Sequence, residues 1–310
     1  MMPLYKYVTF DRIDILKDEH IRFTQPSAFN DPFELFPFFQ SIAPHKNVEE
    51  MIKNRVWDEE EVNKMLEESW NNEQRKYPGF NIPFSIVKYL MRSYFEQAKP
   101  SVNEMIRNYM GMKGTLFRKM AIDTVLGALN KSIGILCLSE TPDNILMWSH
   151  YSANHTGLVF EFDDAHGFFE QRHSENELYG HIRKVRYSKD RPKFTVFNPS
   201  LGDEENRRIW INDFFWVKSS DWEYEKEWRM IHTFRDWNGL IKDDIVPPIY
   251  LCPIPTDCIT SIIIGFRAEI EDINTLKDLL KSDSTFSHII LKKALIDEKQ
   301  YKLNIIEIEI

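Results

Sequence analysis

Cysteine is scarce in this 310-residue chain: only Cys137, Cys252 and Cys258, with no CxxC pair among them. An odd, scattered set gives neither a disulfide framework nor a cysteine zinc cluster, and it points to a reducing compartment. No apolar run reaches the ~18 residues of a membrane span, and the opening MMPLYKYVTFDRIDIL lacks the apolar core of a secretory signal. A soluble, cytoplasmic protein with no membrane attachment is expected. The formal charge of −9 argues against broad binding to nucleic acid, while leaving room for a local basic groove. There is no GxGxxG after a strand, no Walker loop and no GxSxG elbow.

Aromatic residues, by contrast, are abundant: 22 Phe, 12 Tyr and 8 Trp, enough to build a large core. Alternation and helical spacing predict strands over Leu4–Val8 and His20–Thr24, with a helix over Asp11–Asp18 between them. Residues 45–132 are rich in Glu, Lys, Met and Leu, with apolar residues three and four apart. Pro78, Pro83 and Pro100 are expected to punctuate this stretch into three or four helices. It reads as a helical insertion, able to recruit a protein partner, within a discontinuous α+β domain of residues 1–44 and 133–310. Further strands are expected at Gly134–Ser139, Thr156–Phe162, Val185–Tyr187, Glu223–Ile231, Ser261–Ile264, Ile289–Lys292 and Leu303–Ile308. Helices are expected at Ile145–Tyr151 and Asp272–Leu280. The polar stretch Asn198–Arg208 reads as a mobile loop.

The densest polar run in an apolar setting is Trp222-Glu223-Tyr224-Glu225-Lys226-Glu227-Trp228-Arg229. Read as a strand, it places Glu223, Glu225 and Glu227 on one face, where three carboxylates repel one another and resist desolvation. Such a row survives if water covers it, as on a blunted sheet edge, or if a cationic ligand does. In the second case a carboxylate would stabilise positive charge developing on a sugar carbon. Asn30-Asp31-Pro32 is turn chemistry, suited to a loop at the mouth of a cleft. Trp148, His150, Tyr151 and His155 could wall a nucleobase or nicotinamide. The two histidines lie five apart, with no carboxylate or cysteine to complete a ligand set, so no metal is expected. Ser139 closes an apolar strand as a candidate hydroxyl, with no helper base assignable.

Tyr5-Lys6-Tyr7, Phe29 to Glu34, Leu138-Ser139-Glu140, Met147 to Tyr151, His155-Thr156-Gly157 and Tyr224 to Arg229 together resemble a bacterial domain-of-unknown-function family, number twenty-nine seventy-one. The resemblance runs through most of the chain outside the insertion. It suggests a role in bacterial stress or phage defence. More distantly, the order strand, helix, strand and then Glu225-Lys226-Glu227 is similar to the ADP-ribosyltransferase fold, with its mixed or antiparallel β core. That likeness implies NAD as a substrate. Glu227 would bind the nicotinamide-ribose 2′-hydroxyl, and Glu225 would orient or deprotonate an acceptor. Lys6 would meet the pyrophosphate, and Tyr151 or Trp148 would stack on nicotinamide. Tyr7, Asn30, Asp31, Ser139, His150, His155 and Arg229 would complete the binding site. The chain departs from the fold's pattern in carrying Lys6 between two tyrosines and in placing Ser139 before a Glu-Thr-Pro turn. A nucleotide sensor without turnover, or a structural protein with solvated glutamates, are the other readings.

Overall fold

The computed structural model describes residues 2–41, 45–56, 58–76, 84–110, 115–172, 177, 179–195, 203–234, 239–242 and 248–310. The chain divides into two compact units. The first comprises Met1–Phe36, Val125–Arg191 and Asn212–Ile310; the second comprises Pro37–Thr124 and Pro192–Ile211.

In chain order the elements begin with β1 (Leu4–Val8), α1 (Asp14–Asp18), β2 (His20–Phe23) and β3 (Phe38–Ser41). Four helices follow: α2 (His45–Met51), α3 (Glu59–Lys76), α4 (Phe84–Met110) and α5 (Thr115–Ser132). Then come β4 (Ile133–Ser139), α6 (Ile145–Tyr151), β5 (Leu158–Phe162), β6 (Ile182–Lys184), β7 (Arg186–Ser188), β8 (Lys193–Thr195) and α7 (Glu204–Phe215). The remainder is β9 (Val217–Ser219), β10 (Glu227–Thr233), β11 (Leu240–Lys242), β12 (Ile249–Pro253), β13 (Ile259–Ile264), α8 (Ile270–Ser282), β14 (Ile290–Ile296) and β15 (Leu303–Glu307).

The first unit is built on an eight-stranded sheet in the order β15-β14-β13-β5-β1-β4-β10-β6. Its pairs are antiparallel except β13 with β14, which are parallel and joined through α8. The fold is therefore mixed α and β, with one large, mostly antiparallel sheet. Central strands read as near-continuous apolar runs because both faces are covered, as in Leu158-Val159-Phe160 of β5 and Ile262-Ile263-Ile264 of β13. One face buries Leu4, Val8, Leu136, Leu138, Phe160, Phe162 and Met230 against Leu276 and Leu280 of α8. The other packs Tyr5, Tyr7, Val159 and Ile263 with Met147 and Trp148 of α6. Asn144 caps α6, its side chain accepting from the amides of Leu146 and Met147.

The second unit is mainly helical. It takes in residues 192–211 because β8 pairs in parallel with β3, a pairing that a reading of 45–132 as a self-contained insertion does not include. Pro100 does not separate two helices: α4 runs through it, forfeiting one bond to the carbonyl of Glu96. Pro78 and Pro83 lie outside the described residues. The expected loop over 198–208 is helical from Glu204, where α7 begins with two acidic residues that suit a helix N-terminus; residues 198–202 lie outside the described set.

Candidate active site at a seam in the sheet

The run from Trp222 to Ile231 is not one strand. Ser220–Glu225 forms a 3-10 helix, Lys226 adopts a left-handed conformation with φ of 44°, and β10 starts only at Glu227. The Lys226 amide donates to Glu223 O and its carbonyl accepts from the Glu140 amide, which fixes the kink. Glu223 is consequently exposed, while Glu225 and Glu227 are buried at 3% exposure each. The expected row of three carboxylates on one strand face reduces to two.

Neither water nor a bound cation is needed to explain that pair, because the chain supplies its own counter-charges. Lys218 Nζ lies 2.5 Å from Glu225 Oε2, 2.9 Å from Glu227 Oε2 and 3.3 Å from Glu34 Oε2. Arg229 donates from Nε to Glu227 Oε1 at 2.7 Å, from Nη1 to Phe215 O at 2.8 Å, and from Nη2 to both Glu227 and Glu34. Arg229 has 0% exposure. Three buried carboxylates thus surround two buried cations. Burial pushes the Glu34 carboxyl up to about 7, reinforced by repulsion from Glu227 and opposed by Arg229 and Lys218. Its Oε2 faces Lys218 Nζ at 3.3 Å without forming a hydrogen bond. Glu227 also pays a burial cost, but Arg229 and Lys218 outweigh it and hold the carboxyl far below the usual range. Burial alone would lower the Lys218 pKa, yet Glu227 and Glu34 drive it upward.

Of these groups, Lys218, Glu225 and Glu227 border a cavity of about 220 Å3 in the first unit. It opens where β1 and β4 stop pairing: Tyr5↔Ser139 is their one register pair, and Lys6 Nζ instead donates to Cys137 O at 2.9 Å. Tyr5, Lys6 and Tyr7 line one side, Cys137 and Leu138 another. Arg22, Phe29, Asn30, Tyr151, Lys218, Glu225 and Glu227 are among the remaining lining residues. Tyr151 donates its hydroxyl to Glu225 Oε1 at 2.6 Å and accepts from Asn30 Nδ2 at 2.9 Å. Burial, then the Glu225 charge, drives the Tyr151 phenol upward, so it stays protonated as a donor. Burial lowers the Lys6 pKa, while Cys137 and Glu227 favour its charge.

Of the residues singled out by sequence, Lys6, Tyr7, Asn30, Tyr151, Glu225 and Glu227 meet around this cavity. Others do not line it. Asp31 is buried in its own turn, accepting from the Phe33 amide. Ser139 donates to Glu225 O, a backbone role that helps set the kink. Trp148 is fully buried, its Nε1 donating to Pro142 O, so its ring cannot stack on a ligand. His150 is exposed beside Trp222 and Tyr224. His155 lines a different cavity. Arg229 sits behind Glu227 as its counter-ion. Sequence reasoning passed over Lys218, Arg22 and the role of Glu34. Lys218 lies in the short strand Val217–Ser219, and its one visible signal was its position seven residues before Glu225.

The family described as "Protein of unknown function (DUF2971)" matches residues 147–230, from α6 through the Glu225–Glu227 kink to Met230 of β10. That is narrower than the resemblance read from the sequence: Tyr5-Lys6-Tyr7, the Asn30 turn and Leu138-Ser139-Glu140 fall outside it. No curated protein and no solved structure matches the chain. Among the described residues, no helix is long and apolar enough to cross a membrane.

Proposed function

We propose that the protein binds NAD at the seam between β1 and β4 and transfers its ADP-ribosyl group, in the manner of an ADP-ribosyltransferase. The observation that carries this reading is the convergence of two buried glutamates, Glu225 and Glu227, with Lys6, Tyr7, Asn30 and Tyr151 on one cavity. Glu227, held ionised by Arg229 and Lys218, supplies fixed negative charge for an oxocarbenium-like ribose and an acceptor for its 2′-hydroxyl. The bond from C1′ to the nicotinamide nitrogen breaks with its electron pair passing to nicotinamide, which leaves neutral. An acceptor oxygen then bonds C1′ and its proton passes to Glu225, which Tyr151 orients. Lys6 and Arg22, which have no carboxylate partner among the described residues, suit the pyrophosphate. A small cavity suits the reacting end of the dinucleotide better than its whole length. A place in stress or phage defence rests on the family resemblance alone.

Incubation with NAD labelled in nicotinamide tests this. Release of nicotinamide that disappears in Glu227→Gln is expected, with NAD affinity retained. No release with water or any acceptor offered overturns catalysis. One observation favours binding without turnover as a second reading: each oxygen of both carboxylates already accepts a hydrogen bond from Lys218, Arg229 or Tyr151. Under it, NAD raises thermal stability, by about 2.7 kcal/mol at 100-fold excess over the dissociation constant, with no chemistry.

A further inference from the structure

Two lysines line the seam, and their surroundings are opposite in kind. Lys218 is ringed by the carboxylates of Glu34, Glu225 and Glu227, which hold it charged. Lys6 has no carboxylate partner among the described residues; its Nζ donates to a neutral carbonyl, Cys137 O, at 2.9 Å. It is partly exposed, in contrast to the buried Lys218. Burial lowers the Lys6 pKa; Cys137 and Glu227 favour its charge, and Arg22 and Arg12 oppose it. Desolvation beside another cation is the setting in which a lysine amine becomes a nucleophile toward carbonyl carbon.

Arg22 lines the same cavity from β2. Its side chain makes no hydrogen bond or ion pair among the described residues, and its Nε is buried without a partner. Arg12, by contrast, faces Asp14 Oδ1 at 3.3 Å. A partly buried cation without a counter-charge is costly, and an anionic ligand group removes that cost. Phosphate suits the role because its oxygens match the planar fork of a guanidinium. One cavity therefore presents an amine suited to attack and, beside it, an unpaired anion receptor.

We propose that Lys6 is a covalent binding site for a small aldehyde bearing a phosphate group, with Nζ condensing on the carbonyl carbon and Arg22 holding the phosphate. The carbon–oxygen double bond breaks and a carbon–nitrogen double bond forms. The oxygen leaves as water with two of the ammonium protons, and the positive charge stays on the iminium nitrogen. No further reactant is required. Glu227, which favours charge at Lys6, favours the charged iminium as well. The remaining N–H keeps Cys137 O as its acceptor. A cavity of about 220 Å3 restricts the partner to a small molecule. The inference does not rest on the NAD reading, since no nicotinamide leaves; NAD and the aldehyde would compete for the same two cations.

Pyridoxal phosphate is the probe, incubated with the full chain, reduced with borohydride to fix the imine as an amine, and located by peptide mapping. Lys6 should be labelled at a concentration about tenfold or more below that needed for the exposed Lys281, while Lys218 stays unlabelled. Pyridoxal, which lacks the phosphate, should require about tenfold more, and inorganic pyrophosphate should block the reaction. Arg22→Met should erase the difference between the two aldehydes. Lys6→Arg keeps the charge but cannot condense, so the site should go unlabelled. The proposal is overturned if wild-type Lys6 reacts no sooner than Lys281, or if pyridoxal and its phosphate label it equally. Both comparisons use the wild-type chain, so neither depends on a variant folding. Labelling without nicotinamide release would sink the NAD reading alone; release with Lys6 unlabelled would sink this one alone.

Discussion

Lys218 Nζ lies 2.5 Å from Glu225 Oε2 with both side chains buried, seven positions apart in sequence. The same ammonium reaches Glu227, so one cation ties together the two acids that border the cavity. Replacing it with Met keeps the bulk and removes the charge. Lys218→Met should destabilise the fold by about 3–5 kcal/mol in urea denaturation, because carboxylates stay buried without a partner. Its contribution also has a pH limit. The native pKa lies above the ordinary 10.5, so the stabilisation is complete below that value and lost as pH rises past it.

Arg229 is the other counter-charge, and its planar fork serves Glu227 and Glu34 together. Arg229→Lys keeps the charge but loses this two-sided contact and the bond to Phe215 O. A lowered denaturation midpoint is expected for Lys, and a larger loss, about 3–5 kcal/mol, for Arg229→Met. Equal midpoints for wild type and Arg229→Lys would show that the fork geometry contributes nothing.

Glu34 gives a pH signature of opposite sense to Glu227. Its native pKa of about 7 exceeds the ordinary 4.5, so the unfolded chain gives up this proton first as pH rises. Stability from this group is present below pH 4.5, declines up to about 7, and is level above. Glu227, with a depressed native pKa, stabilises above 4.5 and loses that contribution as the medium turns more acidic. The difference in unfolding free energy between wild type and Glu34→Gln should therefore vary across pH 4.5–7. A flat difference would show that Glu34 does not titrate in that window.

Tyr151→Phe removes the hydroxyl that donates to Glu225 and accepts from Asn30. If the seam releases nicotinamide, the rate should fall about tenfold or more, equivalent to ~1.4 kcal/mol in the barrier, with the fold kept. Glu225 then keeps Lys218 on Oε2 but loses the donor on Oε1, so the loss should fall on turnover more than on NAD affinity.

Gly265 shows how tightly the backbone beside His155 is packed. A Cβ built there would lie 2.1 Å from His155 O, a backbone atom that cannot swing aside. Gly265→Ala should cost about 1–3 kcal/mol or more in thermal or urea unfolding. Gly127→Ala is the control, since nothing lies within 4 Å of its added carbon.

Much of the fold is legible in the sequence because period and caps are local. Ile145–Tyr151 forms as its spacing predicts, with Asn144 as its cap, and β1, β2, β4 and β13 follow their apolar runs. Pairing depends on distant partners and is not legible in the same way. The expected strand Val185–Tyr187 overlaps β7 by two residues, but the three-residue strands β8 and β9 carry too few side chains for a period, and β8 finds β3 more than 150 positions earlier. At the site, the glutamates stand out by composition, but the kink at Lys226 does not. A lysine in left-handed backbone has no residue-type signal, unlike glycine or asparagine. Trp148 and His155 belong to an aromatic cluster by sequence, yet helix α6 and the turn after it direct them away from Tyr151's cavity.

That single left-handed residue has a mechanical consequence. Glu225 ends a helical turn and Glu227 begins a sheet strand, so the two acids belong to different bodies joined by one residue, Lys226. Lys218 bridges the two acids across that junction, and Ser139 and Asn144 fasten the turn's carbonyls. The spacing of the acids is thus set jointly by a sheet strand and by a turn outside the sheet.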